Sequence, residues 1–136
     1  MKKQITLITI LLAIMSLICS CAQSWGSDDG SLWDSATYSE STSLGEGATT
    51  FTVKVVAEDK EITLTIRTDE TVLGTALHNL GITNDPSFFD TVNGMVAKWD
   101  PDQAYWAVYI GEEYAPVGVS EITIDSTVVY KLVYTK

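Results

Sequence analysis

Residues 104–119, AYWAVYIGEEYAPVGV, decide the reading of this chain. Tyr105, Ala107 and Tyr109 alternate with Trp106, Val108 and Ile110, so both faces of a period-two pattern are apolar. A strand of that kind is shielded from water on both sides, which predicts a central strand of a sheet. Gly111-Glu112-Glu113 then supplies a turn. Tyr114 to Val119 returns as a second segment whose Pro116 suits an edge or irregular strand, because proline cannot donate to a ladder.

Working back toward the amino terminus, Phe51, Val53, Val55 and Ala57 share one strand face, and Ile62, Leu64 and Ile66 share another. With Glu58-Asp59-Lys60 between them, these form a hairpin with one wet face. Val72, Leu73, Ala76, Leu77 and Leu80 switch to the helical period. Thr71 or Asp69 is expected to cap that short amphipathic helix, and Gly81 sits where a left-handed C-cap belongs. Phe88 to Gly94 reads as a short strand ending in an Asn93-Gly94 turn, and Thr127 to Tyr134 as a final strand. The expected class is α+β, a mixed sheet with the helix packed on one face.

The first fifty residues differ in kind. Met1-Lys2-Lys3 is a basic head, residues 5–18 are nearly all apolar, and Ser20 and Cys21 follow. The run is shorter than the roughly 20 residues a spanning helix needs, so residues 1–20 read as a signal peptide. Ile18, Ser20 and Cys21 resemble a bacterial lipobox, which implies diacylglycerol on Cys21, cleavage after Ser20 and attachment to the membrane at the extracytoplasmic face of the cell envelope. The competing reading is an ordinary cleaved signal and a released protein. With Cys19 removed and Cys21 acylated, no thiol is left for a disulfide framework. Residues 21–50 are rich in Ser, Gly, Thr and acidic side chains and poor in aliphatics, and are expected to be a flexible linker holding the domain on the order of 30 Å from the membrane. Trp25 and Trp33 are read as incidental to it, with docking on the domain or the lipid surface as the alternative. The domain is expected to begin at residue 51 and run to 136.

The formal charge of −10 and the scatter of Lys54, Lys60, Arg67, Lys98, Lys131 and Lys136 argue against nucleic acid as a partner. His78, the only histidine, falls on the polar side of the helix. One histidine without a placed nucleophile makes neither a His-rich metal site nor a hydrolytic triad, and Ser120 lacks the glycines of a nucleophile elbow. The carboxylates of Glu58-Asp59, Asp100 with Asp102, and Glu112-Glu113 lie in turns, where solvation keeps them ordinary. No enzyme, cofactor or metal is expected from these residues. The aromatic residues remain. Trp106 and Tyr109 are read as structural, whereas Trp99 and Tyr114, at loop or edge positions, and Tyr105 are the candidates for ligand binding.

Taken in order, TVLGTALHNLGI (71–82), VNG (92–94), AYWAVYIGEEYAPVGV (104–119) and VVYKLVY (128–134) resemble the transcobalamin-like C-terminal domain family across residues 51–136. The resemblance implies a β-grasp-like module that binds a small molecule, cobalamin or another corrinoid. In the vitamin carriers the ligand lies between this module and a large helical domain, which is not legible in these 136 residues. The alternative is a structural or adhesive surface domain that recognises protein or glycan.

Overall fold

The computed structural model describes residues 30–136; the expected signal peptide (1–20), Cys21 and Trp25 lie outside the described residues. Among the described residues eight strands form, β1 (Thr42–Leu44), β2 (Thr49–Ala57), β3 (Lys60–Thr68), β4 (Thr91–Val92), β5 (Met95–Val96), β6 (Tyr105–Ile110), β7 (Glu113–Tyr114) and β8 (Val129–Thr135), with one α-helix, α1 (Leu73–Asn79). Six of the strands make a mixed sheet in the order β1-β3-β2-β8-β6-β7, and β4 and β5 make a separate hairpin. The pairs β1–β3 and β2–β8 are parallel and the rest antiparallel. A hairpin, a helix and a last strand returning parallel to the first strand of the hairpin constitute the β-grasp-like α+β arrangement.

The alternation in β2 and β3 does what its period dictates. Phe51, Val53 and Val55 and, opposite them, Ile62, Leu64 and Ile66 are buried, while Lys54 pairs with Glu61 across the other face at 3.1 Å. Leu73, Ala76 and Leu77 bring α1 onto the buried face, and Trp106, Tyr130 and Leu132 complete the cluster. Each fully buried aliphatic contributes roughly 1.5–3 kcal/mol relative to exposure. The polar ends of the large rings are satisfied as well. Tyr130 Oη accepts from the Asp125 N–H at 2.8 Å, and Trp106 Nε1 donates to the Met95 carbonyl at 3.3 Å.

Three expectations are corrected. First, β6 is next to the sheet edge rather than central; β2 and β8 hold the middle. Its second face is covered only in part. Ala107 is buried, but Tyr105 is 41% exposed, and β7 pairs with β6 only at Tyr109 and Ile110.

Second, neither Thr71 nor Asp69 caps α1. The N-cap position is Val72 without a side-chain bond, and the Ile122 carbonyl accepts the Leu73 N–H at 2.9 Å instead. Backbone from residues 122–124 lies alongside, bridging Val72 to Thr123, so tertiary structure satisfies the helix start. At the other end Gly81, at φ 72°, closes the helix with its N–H on the His78 carbonyl, as its position foretold.

Third, the linker does not extend to residue 50. From Leu32 onward the chain belongs to the folded unit. A 3-10 turn (Leu32–Ser35) seats Trp33, whose Nε1 donates to the Ala57 carbonyl at 3.0 Å and whose ring carries the Lys60 ammonium 4.6 Å from its centroid. Thr42–Leu44 add the edge strand β1 alongside Leu64–Ile66 of β3, and β2 begins at Thr49. Leu32, Trp33, Ala36, Tyr38 and Leu44 pack against the core. They are spaced without a period, so composition alone reads the segment as unable to fold. What holds it is apolar surface and open backbone supplied by strands 20 or more residues away in sequence.

Candidate functional site

The Asn93-Gly94 turn positions the site. Asn93 (φ 54°) and Gly94 (φ 81°) adopt the left-handed conformations of a two-residue hairpin, pairing Thr91 with Val96 and Val92 with Met95. Val92 and Met95 are buried and anchor the hairpin, and the Ala97 N–H donates to the Asp90 carbonyl at 2.8 Å, extending the pairing outward. Residues 98–104 then loop out and are drawn shut. The Ala104 N–H reaches the Lys98 carbonyl at 3.0 Å, and the Gln103 N–H reaches the Trp99 carbonyl. Ala97 and Ala104 are buried at the two feet of the loop. Its Asp100-Pro101 peptide is cis.

This arrangement presents Trp99 at 66% exposure beside Tyr105, the first residue of β6. The two ring centroids are 6.4 Å apart with planes inclined at 58°. Together with Phe89 and the alanine feet they wall a cleft of about 410 Å³, and Asp90, Lys98 and Asp100 complete its lining. The volume falls in the range of small-molecule sites, roughly 300–1,000 Å³. Asp90 is held in place: its Oδ1 accepts from Asn84 Nδ2 at 2.9 Å and from Thr91 Oγ1 at 2.7 Å.

The structure therefore brings two of the three expected ligand-binding residues, Trp99 and Tyr105, into one place and leaves the third elsewhere. Tyr114, 61% exposed, stacks edge-on with Tyr109 at 5.6 Å across the β6–β7 turn, about 13 Å along the strand from Tyr105. Tyr109 itself lines a shallower depression of about 260 Å³ with Val56, Glu61, Glu112, Lys131 and Val133 on the outer sheet face. Phe89, Asp90, Lys98 and Asp100 were not singled out from the sequence as binding residues. For Phe89, Asp90 and Lys98 the signal was present in the Asn-Gly turn, because a two-residue turn after Val92 places residues 89 and 90 opposite 98 and 97 by register.

The other chemistry-bearing residues are dispersed. His78 is exposed on α1, its Nδ1 3.3 Å from the Thr83 carbonyl, and Ser120 lies in a 3-10 turn (Val119–Glu121). The perturbed carboxylates are surface ones. N–H groups of Phe88 and Ser87 hold Asp85 below its ordinary range, the Thr127 hydroxyl and N–H do so for Asp125, and the Lys131 ammonium at 2.9 Å does so for Glu112. Among the described residues, no three His, Cys, Asp or Glu side chains come together in a way that would hold a metal ion. No helix among them is long and apolar enough to cross a membrane.

No protein-family model matches the chain, and no curated protein does. Chains of known structure do match. One, described as a "putative metal binding protein" from Ruminococcus gnavus, is 22% identical, covers 65% of this chain and 98% of its own length, and superposes with a TM-score of 0.60. At that identity the likeness extends to the fold.

Proposed function

We propose that this chain is a non-catalytic binding module of the bacterial cell surface, anchored through acyl chains on Cys21, that takes a small molecule in the Trp99–Tyr105 cleft. The observation that carries the reading is the cleft itself. Two exposed rings are held at its lip by a loop closed with backbone hydrogen bonds on buried feet, which is more order than an incidental surface aromatic requires. Among the described residues, the lining of the cleft contains no Ser, Thr, Cys or His.

By the transcobalamin-like resemblance the ligand class includes corrinoids. A cleft of this size covers one edge of so large a ring system and leaves the rest projecting, in keeping with a module that meets its ligand from one side. The metal-binding description of the Ruminococcus gnavus protein is not taken over, because among the described residues the acidic groups of the lining, Asp90 and Asp100, have no third ligand beside them. The adhesive alternative draws on a different feature, the exposed Tyr114 on the two-residue edge strand β7.

Calorimetric titration of residues 22–136 with cyanocobalamin, for the native chain and for a Trp99→Ala/Tyr105→Ala double variant, tests the site. Heat that disappears in the variant supports it. Absence of heat at millimolar ligand removes the corrinoid version. Unchanged heat in the variant moves binding away from the cleft. Lipid attachment is tested separately by palmitate labelling in cells, which Cys21→Ser should abolish.

A further inference from the structure

Resting on the cleft reading above, we infer that the ligand group seated against the Trp99–Tyr105 ring pair is an organic cation of the quaternary ammonium type. The ring geometry is the first reason. The two rings form a contacting pair inclined at 58°, so no flat ligand can lie face-on to both at once. With centroids 6.4 Å apart, one compact cation can lie within the roughly 6 Å of both that the ring quadrupoles reward. Phe89 adds a third apolar wall.

Charge is the second reason. The carboxylates of Asp90 and Asp100 line the same cleft, and hydrogen bonds from Asn84 and Thr91 fix the orientation of Asp90. The opposing group is Lys98, whose residue is exposed and whose four-carbon stem lets the ammonium stay in solvent away from a bound cation. The chain as a whole, at a formal charge of −10, raises the local concentration of cations and lowers that of anions. A quaternary ammonium satisfies the rings and the carboxylates together and needs no hydrogen-bond partner of its own. An inorganic cation would need a set of oxygen ligands that two carboxylates do not supply.

The test titrates residues 22–136, at low ionic strength, with choline chloride and with its neutral carbon isostere, in which a tert-butyl group replaces the trimethylammonium. Tryptophan fluorescence and amide NMR shifts are the readouts. Choline is expected to bind about 10-fold or more tightly than the isostere, with Trp99→Ala weakening it roughly 3- to 30-fold and Trp99→Phe by less. Asp90→Asn with Asp100→Asn should weaken choline several-fold and leave the isostere unchanged. Trp99, Asp90 and Asp100 are all exposed, so these variants are expected to fold, and their amide spectra check it. Phosphatidylcholine vesicles form a second arm: sedimentation with vesicles that Trp99→Ala abolishes identifies a lipid headgroup, whereas a response to free choline alone identifies a solute. Equal binding of choline and isostere overturns the cation inference while the cleft reading survives. So does a failure of choline, in solution and on vesicles, with retained binding of cyanocobalamin in the cleft. Failure of all of these ligands overturns both.

Discussion

Asn93 offers the sharpest test of how the amino-terminal segment is held. Its side chain is buried and bonded at both ends to the main chain of one distant residue. Oδ1 accepts the Tyr38 N–H at 2.9 Å, and Nδ2 donates to the Tyr38 carbonyl at 2.8 Å. The Asn93 carbonyl also accepts the Thr37 N–H at 2.8 Å, and next to it a Cβ at Gly94 would collide with the Ser35 carbonyl. Replacing Asn93 by glycine keeps the left-handed backbone and removes the amide. Two hydrogen bonds worth about 1 kcal/mol each are lost, and part-buried groups of Tyr38 are left unpaired, for a total of about 2–3 kcal/mol. Alanine removes the same bonds and must also adopt φ near 54°, which adds about 1 kcal/mol. Urea unfolding of residues 22–136 at neutral pH should therefore rank native above Asn93→Gly above Asn93→Ala. Limited proteolysis should cut between residues 36 and 41 sooner in both variants. If Asn93→Ala lies within about 0.5 kcal/mol of the native chain, residues 37 and 38 are not docked and the reasoning fails; if glycine costs as much as alanine, the backbone part of it is wrong.

Other consequences follow from the same contacts. A chain begun at residue 51 lacks β1, Trp33 and the first two residues of β2, so its urea midpoint should drop sharply relative to residues 22–136; equal midpoints would restore the linker reading. Gly74→Ala should destabilise by about 1 kcal/mol or more even though alanine is the better helix former, because its Cβ would strike the Pro86 carbonyl. A higher melting temperature for that variant would contradict the packing. Asp85, Asp125 and Glu112 have folded pKa values below their ordinary ones, so their contribution is present above the ordinary carboxylate range and is lost as pH falls through that range toward the folded values. Thermal melts through that acid window should show Asp85→Asn losing stability less steeply than the native chain, and parallel slopes would count against the Ser87 and Phe88 bonds.

Much of the fold was legible residue by residue. Alternation marked β2 and β3, the helical period with Gly81 marked α1, and Asn93-Gly94 marked the β4–β5 turn, since each signal is carried by side chains within one element. The site was legible in part. Trp99 and Tyr105 stand out as aromatic residues flanking a turn-rich loop, but their 6.4 Å approach depends on the closure of residues 98–104, and Phe89 and Asp90 reach them only through hairpin register.

By itself the sequence determined the conformations of β2, β3 and α1, the faces that β2 and β3 bury and the acidic composition, because these depend on neighbours along the chain. Tertiary structure alone decided that residues 32–44 join the fold, that β8 and not β6 lies in the middle of the sheet, and that Tyr114 sits apart from the cleft. Those outcomes rest on backbone groups and apolar surface supplied by distant segments, such as the Ala57 carbonyl that holds Trp33 and the edge of β3 that β1 completes. No pattern in a polar stretch announces a partner that exists only once the rest has folded.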